Sequence, residues 1–222
     1  MLKFYYNPLS PMARRVWRYL LEKGIPFESV LMDLNGDQME PEYLEINPFH
    51  HIPVIDDHGF KIIESLAILD YLEAKYPTPE LLPKNIQDLG RVSMVKMVST
   101  NELLSKVITL LFEDEESLKY SQAKKHINKV LEFLNTTLGD NSYFGGKNLS
   151  IADIVLGTDM SLLPKLKIDF HNYPQINIWF AKLMKRSVWQ ETELNNENFE
   201  QFKRRIQVIA KMRKRELSRQ SK

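Results

Sequence analysis

The chain has 222 residues, 43% hydrophobic and 27% charged, with thirty Lys and Arg against twenty-nine Asp and Glu for a net charge of +1. Those proportions are ordinary for a globular protein of one large or two small domains, and no apolar run approaches the ~18–20 residues needed to span a bilayer. There is no cysteine, which excludes disulfide scaffolds, thiolate zinc sites and any mechanism with a protein thiol as nucleophile.

Leu2–Tyr6 and Phe27–Met32 read as strands. Between them Ala13, Val16, Trp17, Leu20 and Leu21 recur at helical spacing and stop at Gly24, a C-cap signal. A β–helix–β unit of this length predicts two parallel strands with a right-handed crossover. After a loop segment, Pro53–Ile55 and Phe60–Ile63 flank Asp57-His58-Gly59, a hairpin turn, and Leu66–Ala74 reads as a helix. Three prolines within Tyr76–Pro83 mark a linker. Beyond it strand signals fade. Val92, Val95, Ser99, Leu103, Val107 and Leu110 form one helical stripe and Ile127, Leu131, Leu134 and Leu138 another, with further helices over 150–162, 174–186 and from about 197 onward.

Three segments carry candidate chemistry. Ser10 followed by Pro11 makes a well-formed helix start. A hydroxyl there can donate to a thiolate held at the same helix end and lower that thiol's pKa, with Arg14 one turn along adding positive potential. No general base is in local reach, so Ser10 is not expected to act as a covalent nucleophile. At Ile52-Pro53, a cis bond would turn the Ile52 backbone outward to pair with an extended peptide; the ordinary alternative is a trans proline opening an edge strand. At Glu64-Ser65, Ser65 is the expected N-cap of the following helix. Its hydroxyl and the free N–H groups would hold an α-carboxylate, while Glu64 pairs with the adjacent α-ammonium. The ordinary alternatives are a serine that caps only its own helix and a glutamate that decorates the first turn. The five histidines (His50, His51, His58, His126, His171) have no metal-ligand spacing, so no metal site is expected.

Over residues 1 to about 190 the chain resembles the cytosolic glutathione transferase superfamily. SPMARRV (10–16) is similar to the serine-type activating segment, close to the tau, phi and theta-like classes. NPFHHIPV (47–54) is similar to the loop before the cis-proline, and IIESLAILDYL (62–72) to the γ-glutamyl-binding turn and helix. Leu149-Ser150-Ile151-Ala152-Asp153 resembles the helix-start motif of the second domain, and is on its own terms a capping box with a Leu149/Ile154 staple. The resemblance implies an α/β thioredoxin-like N-terminal domain plus an all-α C-terminal domain. The expected boundaries are 1–78 for the glutathione-binding domain, 79–85 for the linker and 86–222 for the helical domain, whose basic terminal helix covers about 197–220.

It also implies roles. Ser10 activates the thiol of glutathione, the co-substrate. Ile52, before Pro53, pairs through its backbone with the cysteinyl unit, and Glu64 and Ser65 hold the γ-glutamyl end. His51 stands near the glycyl carboxylate, where Lys or Gln is common in relatives. The reaction expected is conjugation of glutathione to an apolar small-molecule electrophile, a detoxification chemistry, or reduction of a hydroperoxide. A non-catalytic interaction or ligand-carrier protein of the same fold is the alternative, and a glutathione-dependent isomerase a weaker one. A cytoplasmic homodimer is expected, since Met1-Leu2-Lys3-Phe4 lacks signal-peptide character, and no nucleic-acid partner is expected. Residues 203–222 carry nine Lys or Arg against Glu216, a charge of +8, which leaves −7 for residues 1–202. In this tail Phe199, Phe202, Ile206, Ile209 and Met212 recur at helical spacing. The segment reads either as a helix packed on the helical domain, its charges solvated or facing Glu113–Glu116, or as one that touches anionic surfaces.

Overall fold

The structure, a computed structural model, describes residues 1–34 and 36–220. Leu2–Tyr6 (β1), Pro11–Lys23 (α1) and Glu28–Leu31 (β2) form the parallel β–helix–β unit. Pro41–Leu44 makes a short helix (α2) in the segment read as loop. Val54–Asp57 (β3) runs antiparallel to β1, and Phe60–Ile63 (β4) antiparallel to β3, for a strand order β2-β1-β3-β4. Ser65–Lys75 (α3) then packs against α1. This is the thioredoxin-like arrangement.

Local chemistry accounts for each piece. Gly24 ends α1 in the left-handed conformation (φ 63°), with Ile25 N–H donating back to the Leu20 carbonyl at 2.9 Å. The β3–β4 turn places His58 and Gly59 at φ 54° and 93°, the positive values that two-residue hairpins favour. β3 is buried on both faces: Ile55 joins the main core and Val54 a smaller cluster with Met32 and Tyr43. The apolar half of the strand, Val54-Ile55, thus has no solvent face, and Asp56-Asp57 complete the strand.

After the segment from Tyr76 to Asn85, in which Thr78–Pro79 is cis, the chain is helical: Ile86–Val98 (α4), Ser105–Phe112 (α5), Leu118–Leu138 (α6), Ile151–Met160 (α7), Pro174–Met184 (α8), Ser187–Thr192 (α9) and Asn196–Gln220 (α10). Every residue of the two apolar stripes is buried. The first runs through a π-helical turn at Ser99–Leu104 that joins α4 to α5. Its fourfold steps (Val95, Ser99, Leu103, Val107) would drift around a regular helix of 3.6 residues per turn, and the wider π turn absorbs the drift. The capping box holds: Asp153 accepts from the Ser150 N–H at 2.8 Å, from Phe144 N–H at 2.9 Å and from Trp179 Nε1 at 2.8 Å. Among the described residues no helix is long and apolar enough to cross a membrane.

The two domains meet along α1, which packs on α7 and α9 as well as α3. Arg14, Arg15 and Arg18 are fully buried there. Arg15 binds Asp159 through two bonds of 3.0 and 2.8 Å, and Ser99 Oγ donates to the same carboxylate at 2.6 Å. Burial pushes the Asp159 carboxyl up, against the pull of Arg15 and Ser99. Arg18 reaches Thr192 at 2.8 Å and Glu193 at 2.9 Å, and its guanidinium lies 4.2 Å from the centre of the Trp189 ring. That ring also explains Gly157 in mid-helix: a Cβ there would come within 2.4 Å of Trp189.

α10 packs on the helical domain through its first half. Phe199 and Phe202 are buried and Ile206 half-buried, while Met212 is 59% exposed. Gln207 Nε2 donates to the Leu111 carbonyl at 3.2 Å, and Glu113 pairs with Lys119 at 3.6 Å. The side chains of Arg213, Arg215 and Arg219, and Lys222, part of the expected basic face, lie outside the described residues.

Removing one partner of a buried ion pair leaves an uncompensated charge and costs about 3–5 kcal/mol. Asp159→Ala is expected to lower the unfolding free energy by about that amount, as followed by urea titration of tryptophan fluorescence. Glu193→Ala, whose side chain is 27% exposed, is expected to cost less.

Candidate functional site

A cleft of about 280 Å³ opens between the domains. One wall is built from Leu9–Met12, Leu34, Gln38, His50–Pro53 and Glu64-Ser65. The facing wall is Leu104 of the π turn, Ile108 of α5, and Phe202, Arg205 and Ile206 of α10.

Ser10 is the N-cap of α1, with its Oγ accepting from the Ala13 N–H at 3.3 Å. Accepting that bond leaves the hydroxyl proton for another acceptor. The approach to it is held by Asn7, whose amide donates to the Met32 carbonyl at 2.8 Å and whose Oδ1 accepts from Leu9 N–H at 2.8 Å. The position combines a hydroxyl donor with a helix N-terminus, which favours an anion.

The second segment is fixed from inside. Asn47, 1% exposed, accepts from Phe49 N–H at 3.0 Å and donates to the His51 carbonyl at 2.8 Å, and Tyr43 Oη donates to that carbonyl at 2.7 Å. His50 takes φ 58° within this tight loop, and Ile52–Pro53 is cis. The sheet ladder begins at Val54, so Ile52 stands upstream of it on the cleft wall.

At the third segment the structure corrects one expectation. Ser65 does not cap α3: it is the first helical residue, and Glu64 occupies the cap position at φ 68°, ψ 115° without a side-chain capping bond. The positive φ of Glu64 ends β4 abruptly and turns the chain into the helix, so that Ser65 Oγ, buried, accepts from Arg15 Nη1 at 3.4 Å. A non-glycine residue in such a conformation is a strain of roughly 1–3 kcal/mol of the kind that persists at functional sites.

Arg14 is a second correction. It does not stand beside the cleft. It is fully buried in the domain interface, its three guanidine nitrogens have no hydrogen-bond partner among the described residues, and burial together with the Arg18 charge draws its pKa down to about 9. Its neighbour Arg15 is the one that reaches the site, from behind Ser65. Sequence reasoning also missed Asn47, Gln38 and Arg205. A buried asparagine before a proline-containing loop has a recognisable turn chemistry, but the other two carry no local signal. No group of three or more His, Asp or Glu side chains that could hold a metal ion occurs among the described residues.

The chain matches two family models: glutathione S-transferase, N-terminal domain, over residues 4–80, and glutathione S-transferase, C-terminal domain, over residues 100–187. It is 34% identical to glutathione S-transferase F10 of Arabidopsis thaliana over 203 residues, covering 84% of this chain and 94% of that protein. It is 30% identical to glutathione S-transferase D7 of Drosophila melanogaster over 227 residues, covering 97% and 98%. Among solved structures it is similar to a delta-class glutathione transferase of Nilaparvata lugens, with a TM-score of 0.80 and 26% identity over 94% of this chain and 99% of that one.

The loop geometry yields its own prediction. Asn47→Ala removes both ties of the buried amide and leaves backbone groups short of partners, at roughly 1–3 kcal/mol. The variant is expected to unfold at lower urea concentration and to be cut faster by protease within residues 48–52, read by mass spectrometry of the fragments.

Proposed function

This chain belongs to the glutathione S-transferase family, and from that premise we propose that Ser10 is the group that activates glutathione for transfer to an apolar electrophile. The observation that carries this reading is the placement of Ser10 Oγ at the N-terminus of α1, in one cleft with Ile52, Glu64 and Ser65. The ligand is laid across these segments. Glu64 takes its α-ammonium, Ser65 with the first N–H groups of α3 takes its α-carboxylate, the Ile52 backbone pairs with the cysteinyl unit, and His51 stands near the glycyl end.

The thiol gives its proton to solvent, and the Ser10 hydroxyl donates to the sulfur that remains. Hydrogen bonds to charged groups contribute roughly 1.5–3 kcal/mol, equivalent to about one to two pKa units for the bound thiol. The facing wall of Leu104, Ile108, Phe202 and Ile206 holds the electrophile against the sulfur, so both reactants are positioned before the bond forms. With a chlorinated aromatic, the sulfur–carbon bond forms, the carbon–chlorine bond breaks and chloride leaves.

Ser10→Ala is expected to lower kcat/KM for chlorodinitrobenzene by roughly 10–100-fold with little change in the Kd for glutathione, and to move the pH inflection of the rate upward by about one to two units. An unchanged pH profile would remove Ser10 from the mechanism.

The proposed assembly is a homodimer in the cytosol. Met94 and Met97 on α4 and Phe133 on α6 are exposed, an apolar surface of the kind a second copy covers. Sedimentation equilibrium is expected to return twice the chain mass of 26.1 kDa, and Met97→Glu with Phe133→Glu to shift it toward one chain.

A further inference from the structure

The terminal helix carries charge and apolar surface that the cleft does not use. Residues 203–222 hold nine Lys and Arg against Glu216, a charge of +8, while residues 1–202 carry −7. Beyond Phe199, Phe202 and Ile206, which pack on the helical domain, α10 leaves Val208, Ile209 and Met212 exposed. At about 100° per residue these three share an arc of about 100°. Arg204 and Lys211 are exposed as well, and fall within about 60° of Val208 at the edge of that arc. Neither makes an ion pair among the described residues, and Glu113 of the acidic run 113–116 pairs with Lys119.

The pattern discriminates between partners. A nucleic acid backbone rewards basic side chains alone, and its bases stack on aromatic rings. Residues 203–222 contain no Phe, Tyr or Trp, and Val208, Ile209 and Met212 would gain nothing there. A symmetric contact with a second copy through this face would set two basic tails against each other. An anionic bilayer answers both features: apolar side chains enter the acyl boundary while Lys and Arg stay among the headgroups.

We propose that the exposed length of α10 beyond Ile206 docks on an anionic lipid surface. The helix lies in the headgroup plane, with Val208, Ile209 and Met212 turned into the acyl boundary and Arg204 and Lys211 reaching the phosphates. The assignment stands on α10 alone and does not depend on the glutathione reading.

The test is co-sedimentation of the full chain with vesicles of phosphatidylcholine alone, and of phosphatidylcholine with about one third phosphatidylserine. The wild type is expected to bind the mixed vesicles at least about tenfold more tightly than the neutral ones, and to lose that preference as salt is raised. R204Q/K211Q is expected to weaken binding roughly 25-fold, about fivefold per charge. V208S/M212S keeps every charge and is expected to weaken it about tenfold. M212W reads insertion directly, even if the serine variant fails to fold: its added emission is expected to shift to the blue on mixed vesicles. A wild type that stays in the supernatant with mixed vesicles overturns the proposal, as does an M212W spectrum that does not move. Binding lost in R204Q/K211Q but intact in V208S/M212S, with tighter capture by a DNA duplex than by vesicles, would assign the face to nucleic acid instead. A fall in the sedimenting mass of V208S/M212S without lipid would assign it to a second copy.

Discussion

The buried ion pair between Arg15 of α1 and Asp159 of α7 sets the relation of the two domains. Taking both charges out of water costs several kcal/mol per ion, and this is offset only by good geometry and further hydrogen bonds to the remaining polar atoms. Here the carboxylate accepts two guanidinium bonds and the Ser99 hydroxyl, while Arg15 also reaches Thr100 and Ser65 through Nη1, its Nε alone having no partner among the described residues. α1 is thereby fixed in depth and rotation. Because Ser10 begins this helix and Ser65 touches this arginine, two segments of the cleft inherit their positions from the pair. Among the described residues, three buried arginines meet two carboxylates in the interface, Asp159 and Glu193, and the Arg14 guanidinium has no hydrogen-bond partner.

Around that interface the cleft is assembled from short, irregular pieces held by a rigid scaffold, the usual division of labour between loops and core. Asn7 ties the entry to Ser10 back to the end of β2, and Asn47 ties the residues before Pro53 to one another. The π turn serves the interface and the cleft at once: Ser99 and Thr100 face the ion pair, and Leu104 faces the cleft. π turns are rare and recur at functional sites, and in this chain the same wide turn keeps the apolar stripe in register. α10 then closes the cleft from the helical side with two apolar side chains and one arginine.

Much of the fold was legible because its signals are local. Ser10-Pro11 and Gly24 bracket α1, Asp57-His58-Gly59 turns the β3–β4 hairpin, and Ser150 with Asp153 opens α7; each involves residues within four positions of one another. The cleft lining at Ser10, Ile52, Glu64 and Ser65 was legible through motifs of the same short range. The roles of Arg14 and Arg15 were not. A helical wheel sets both apart from the Val16–Leu20 stripe as polar, and only the second domain, covering that face, buries them.

The sequence by itself determined where the strands and the longer helices lie, that the first domain alternates strand and helix while the second is helical, and which short stretches line the cleft. Tertiary structure alone decided that Arg15 rather than Arg14 backs the site, that Ser65 starts its helix instead of capping it, and that Arg205 meets Leu34 across 171 positions. The physical reason is the range of the forces involved. Caps, turns and apolar periodicity act over a few residues of backbone. The pairing of buried charges depends on which surfaces the folded chain brings together, and no spacing along the sequence encodes that.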